Sequence, residues 1–213
     1  VTDTVDAAAM RTRYWPVPII RAVPAAIVAM IITFSANHAA GFGLVLFGSF
    51  AVVEGVVLIL FAARRMPDRA SRRVATVQGL VTGVAGLVGF SVIESGVAGF
   101  KIVVIAFAVV SGFLELGQGI RARRTSQFAR DWQTIGGITL LLAILLALTP
   151  TGYAKQLGGI EHVKGSLDSA IIVVGFFGAY LALTAVFDVI AGLSHKWGTA
   201  ADEQTAPNGA PHV

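Results

Sequence analysis

Between Val17 and Leu193 polar residues are so sparse that the chain divides into six long apolar runs joined by short polar connectors. The runs extend from Val17 to Phe34, Gly41 to Phe61, Val74 to Ile93, Phe100 to Ile120, Thr134 to Leu148 and Ala170 to Leu193. A hydrocarbon core roughly 30 Å thick takes about 20 mostly apolar residues in helical form, so each run predicts a membrane-spanning helix. The fifth is the shortest and leans on Trp132 and Gln133 at one end and Pro150 at the other. The expected fold class is therefore all-α integral membrane, with six transmembrane helices over residues 17–196, a segment 1–16 before them and a disordered polar tail over 197–213.

Composition agrees with this picture and removes others. Hydrophobic residues make up 55% of the chain and charged residues 13%, which does not describe an ordinary soluble domain. Most of the 213 residues lie in the runs, leaving no length for a soluble catalytic domain. The few cations alternate sides. Arg11 and Arg13 precede the first run, Arg64, Arg65, Arg69, Arg72 and Arg73 join the second to the third, Arg121, Arg123, Arg124 and Arg130 join the fourth to the fifth, and Lys196 follows the sixth. Lys101, Lys155 and Lys164 fall on the other side. Lys and Arg are retained in cytoplasmic loops, so both termini are expected in the cytoplasm. This asymmetry accounts for the pI near 9.9, and nucleic acid is not expected as a partner. The arginine clusters read as solvated topogenic loops, or as contacts to anionic lipid headgroups. The first run follows Arg11 and Arg13 as a leader would, but it fits the repeat described next and is read as a span.

Three hairpins align along the chain, over residues 17–65, 74–124 and 134–196. Each has an odd helix, a short outer connector and an even helix bearing one acid. Thr76-Val77-Gln78-Gly79 and Thr134-Ile135-Gly136-Gly137 open the second and third odd helices alike, with Ile20-Arg21-Ala22 at that place in the first. In the even helices Phe47-Gly48-Ser49-Phe50 precedes Glu54, Val110-Ser111-Gly112-Phe113 precedes Glu115, and Phe176-Phe177-Gly178-Ala179 precedes Asp188. With Leu46-Phe47-Gly48, Gly175-Phe176-Phe177-Gly178, Gln78-Gly79 and Thr149-Pro150, this pattern resembles the HdeD-like, or DUF308, family of small bacterial membrane proteins. The resemblance covers about Val17 to Lys196. It departs in the first two outer turns, which lack proline, and in the long third connector, Thr151 to Asp168. It implies acid-stress or envelope roles and supplies no catalytic residues.

The intramembrane acids carry the chemistry. An ionised carboxylate near the bilayer centre costs roughly 2.5–3.5 kcal/mol on insertion scales, so Glu54, Glu115 and Asp188 require an offset. All three fall at a similar depth, where Arg21 and Gln78 enter from the odd helices and can pair with them. This layer is either a lock of ion pairs and hydrogen bonds or a site for a proton, a lipid head or a small solute. Gly79, Gly83, Gly86 and Gly89 share one face of the third helix, and Gly178, Ala182 and Ala185 share one of the sixth, which predicts close helix packing. On the outer side His38, His162, Glu94, Glu161 and Asp168 are scattered without metal-ligand spacing. Cysteine is absent, which excludes disulfides and thiolate chemistry. No phosphate loop, dinucleotide fingerprint or nucleophile with a partner base is present, so neither a cofactor nor an enzymatic activity is expected.

The sequence thus predicts a non-enzymatic protein of the bacterial inner (plasma) membrane. Its first expected role is support of envelope or acid-stress tolerance as an accessory subunit of a larger membrane complex. The alternative is a proton or small-solute channel or transporter built on the intramembrane carboxylates. Expected partners are membrane lipid and either another membrane complex or a second copy of the chain.

Overall fold

The computed structural model describes residue 10 and residues 12–66, 69–156 and 166–205. Six helices are long and apolar enough to span a membrane: α1 (Thr12–Phe34), α2 (Ala40–Leu60), α3 (Arg69–Ser91), α4 (Ile93–Ala122), α5 (Ala129–Leu148) and α6 (Ser169–Gly198). The last continues as helix to Thr205. Each apolar run therefore forms its expected helix, but the helices overrun the apolar stretches at the arginine-bearing end. Arg69, Arg72, Arg73, Arg121 and Arg130 lie in helix rather than in loops, the first helix begins inside the segment assigned to 1–16, and the tail assigned to 197–213 is helical as far as Thr205. Arginine is a good helix former, so leaving the apolar phase does not end the helix. The long third outer connector carries a two-stranded antiparallel ribbon, β1 (Ala154–Gln156) against β2 (Ser166–Asp168). Glu161, His162 and Lys164 lie outside the described residues.

Glycine sets which helices touch most closely. A Cβ on Gly55 of α2 would lie 2.6 Å from the Gly79 carbonyl oxygen of α3, and one on Gly86 would lie 2.8 Å from the Gly48 oxygen. A Cβ on Gly136 of α5 would lie 2.9 Å from the Gly112 oxygen of α4, and one on Gly192 of α6 would meet Ile19 and the Trp15 oxygen of α1 at 2.6 and 3.0 Å. Backbone thus meets backbone across α2–α3 and α4–α5, which are linked at the arginine-bearing end, and across α6–α1, the sixth and first of the spanning helices. A Cβ on Gly79, Gly86, Gly89 or Gly178 would meet a neighbouring helix. Two positions differ. A Cβ on Gly83 would meet open space although Gly55 packs on its backbone, and Ala182 is exposed while Ala185 is buried. The sixth helix turns its contact face through Gly178, Leu181 and Ala185, placing Ala182 on the outside.

The core has two apolar parts. Toward the outer connectors, Phe47 of α2, Phe100 and Phe107 of α4 and Phe177 of α6 meet edge to face, with centroids 5.3–6.1 Å apart. Toward the arginine-bearing end, Tyr14, Leu58, Met66, Phe128 and Trp132 form a second cluster. Trp132 Nε1 donates to Tyr14 Oη at 2.8 Å, so the buried indole N–H is satisfied. His195 of α6 lies edge-on to Phe128 and 2.7 Å from Asp131 Oδ2, and Arg13 donates to the Arg64 carbonyl at 2.8 Å, tying α6 to α5 and α1 to the residues that follow α2.

Candidate functional site

Between the two apolar clusters lies a polar layer to which all six helices contribute. Its lining includes Arg21 and Ala25 of α1, Glu54 of α2, Gln78 and Thr82 of α3, Ser111 and Glu115 of α4, Ile135 of α5, and Thr184 and Asp188 of α6. Helical spacing explains the local choice. Gln78 and Thr82, Ser111 and Glu115, and Thr184 and Asp188 each stand four residues apart, one turn along the same face. Each even helix thus presents its acid to the axis, with a hydroxyl or, at Phe50, an aromatic ring one turn nearer the outer connectors.

Arg21 is the hub. Its Nε donates to Glu54 Oε1 at 2.6 Å and one terminal nitrogen donates to Glu115 Oε1 at 2.9 Å. Gln78 Nε2 donates to Glu115 Oε2 at 3.1 Å and to Ser111 Oγ at 3.2 Å. The Arg21 side chain is 12% exposed and those of Glu54 and Glu115 are 7% and 5% exposed. Ions so withdrawn from solvent are costly unless paired and hydrogen-bonded, and Arg21 supplies the pairing for two acids at once. Asp188, also buried, completes a set of three carboxyl groups around one guanidinium. Among the described residues two buried side-chain oxygens are without a protein partner, Glu54 Oε2 and Thr82 Oγ1, both on residues that line the cavity. The space open to a water-sized body is about 20 Å³, enough for one such molecule.

Two irregularities adjoin the layer. Pro24 stands one turn beyond Arg21 and has no N–H to offer the Ile20 carbonyl. A π-helical turn, Leu58–Ala62, follows Glu54, and such single turns inside α-helices recur at functional sites.

No family model, curated protein or solved structure matches the chain. The site must be read from its own chemistry.

All five polar residues singled out in the sequence, Glu54, Glu115, Asp188, Arg21 and Gln78, line this one cavity. Thr82, Ser111, Thr184 and Tyr180 belong with them and were not anticipated. The outer residues do not join: His38 is half-buried in the first connector, Glu94 is exposed, and Asp168 Oδ1 accepts from the Ile171 amide at 3.0 Å as a helix cap. Among the described residues no group of three or more His, Cys, Asp or Glu side chains has the arrangement of a metal site.

Proposed function

We propose that the chain is a bacterial inner-membrane protein whose central polar layer is a working site that takes up and releases protons, alone or together with a small solute. One observation carries this reading: three carboxyl groups from three helices line one small buried cavity with a single guanidinium, and Glu54 Oε2 has no protein partner there. A network serving stability alone gains from matched charges and satisfied atoms, since a buried polar group left unpaired costs about 1–3 kcal/mol. An excess of carboxyl groups over cations gives the layer a place for exchangeable protons. Apolar clusters rich in aromatic rings pack on both sides of it along the axis, the arrangement an occluded carrier would need. The HdeD-like resemblance agrees in kind, because proton handling and acid tolerance draw on the same chemistry. Both termini are assigned to the cytoplasm on the arginine asymmetry.

The three hairpins are taken as repeats. Equal steps along the chain separate Arg21, Gln78 and Ile135, and the same steps separate Ala22, Gly79 and Gly136, and Ala25, Thr82 and Thr139. These last two sets are buried at every member, which supports one ancestral hairpin used three times.

The test is a flux measurement. Purified protein is sealed into liposomes holding a pH-sensitive dye, and the outside is acidified. Wild type is expected to acidify the lumen faster than protein-free liposomes, and Glu115→Gln to abolish the difference. Equal rates for wild type and protein-free liposomes under every gradient would sink the reading and leave the layer as a lock.

A further inference from the structure

The seam between α3 and α4 is looser than the seams that glycine closes. An apolar groove of about 440 Å³ runs along it, lined by Leu80, Val84 and Val88 of α3 and by Ile102, Ala106 and Phe107 of α4. From Leu80 to Val88 it covers roughly 12 Å of helix at about 1.5 Å per residue. Phe107 lines this groove and the polar cavity alike, so its ring borders both. Apolar clusters lie on both sides of the cavity along the axis, and Phe107 is the residue its lining shares with the groove.

The chemistry of the cavity narrows what could occupy both. Among the described residues the Glu54 Oε2 carboxylate oxygen and the Thr82 hydroxyl, which can accept, are buried without partners, and three carboxyl groups line the cavity with one guanidinium. A primary ammonium has three donors and no acceptor, so it matches both the unpaired oxygens and the excess of acid. It is also about the size of water and suits a space of about 20 Å³. A carboxylate head would meet like charge, and a trimethylammonium head is too large and donates no hydrogen bond.

We propose that the cavity and groove together bind a single-chain primary amine, its ammonium held by Glu54 Oε2 and Thr82 Oγ1 and its alkyl chain lying along α3 and α4. This rests on the reading of the polar layer as a working site, but it requires no proton movement.

The experiment is equilibrium dialysis of labelled decylamine against the protein in neutral-lipid nanodiscs, with empty nanodiscs as the reference. One saturable site per chain is expected. Thr82→Val, which removes an unpaired hydroxyl and keeps the shape, and Val84→Trp, which fills the groove, should each weaken it about tenfold or more, the loss of one hydrogen bond to a charge. Decyltrimethylammonium and decanoate should show no saturable binding. The proposal is overturned if decylamine binds no better than to empty nanodiscs, if both variants bind as wild type does, or if the trimethylammonium binds equally well. Because binding is read without a gradient, its failure leaves the proton reading standing, and binding without flux removes only the latter.

Discussion

Arg21 should be the most costly side chain to remove. Arg21→Met keeps most of the length of the stem and deletes two charge-assisted hydrogen bonds, at 2.6 Å to Glu54 and 2.9 Å to Glu115. Bonds of that class contribute about 1.5–3 kcal/mol each. Removing one partner of a buried ion pair costs about 3–5 kcal/mol, because the other charge is left without compensation. The expected loss is therefore about 3–5 kcal/mol, toward the upper end since two acids are stranded together. Unfolding by increasing SDS in mixed micelles measures it, with fluorescence of the buried Trp132 as the signal. The double variant Arg21→Met with Glu115→Met removes one stranded charge. It should be less destabilised than the two singles sum to, by about 0.5–3 kcal/mol. A single-variant loss below about 1 kcal/mol, or strict additivity in the double variant, would refute the view of Arg21 as the hub.

Gly55→Ala places a methyl 2.6 Å from the Gly79 carbonyl, where backbone cannot yield, and should destabilise by about 1–3 kcal/mol in the same SDS titration. Gly137→Ala meets nothing within 4 Å and should instead stabilise by about 0.5–1 kcal/mol. Tyr14→Phe leaves the buried Trp132 N–H without its acceptor and should cost about 1–3 kcal/mol, with a shifted indole emission as an independent check.

The polar layer was legible because a charge inside an apolar run is conspicuous: Arg21, Glu54, Glu115 and Asp188 have no reason to be there unless they meet. Thr82, Ser111 and Thr184 were concealed by the opposite property. A hydroxyl in a membrane helix can bond its own backbone, as Thr184 does to the Tyr180 carbonyl at 3.0 Å, and so signals nothing alone. The clue was spacing, one turn from Gln78, Glu115 and Asp188. Helix ends were misplaced for a related reason. Hydropathy marks where lipid stops, whereas the helix ends where backbone bonding fails: the third begins at Arg69, five residues before its apolar run, and the fourth ends at Ala122, two residues after its own. Glycines told where helices would approach but not whose backbone they would meet, and Ala182 shows how a stripe read without its partner drifts off the contact face.

The seam between α6 and α1 bears on how the chain is made. Of the six spanning helices described, the first in chain order finds its closest packing partner in the sixth. Gly178 and Gly192 reach Ile32 and Ile19 only after every intervening segment has been threaded into the bilayer. Arg21 meets Glu54 as soon as the second helix enters, so its charge is covered early while its helix waits for a neighbour. A chain cut before Ser169 would therefore keep the Arg21–Glu54 pair and leave the flank of α1 that Gly178 and Gly192 cover without its neighbour.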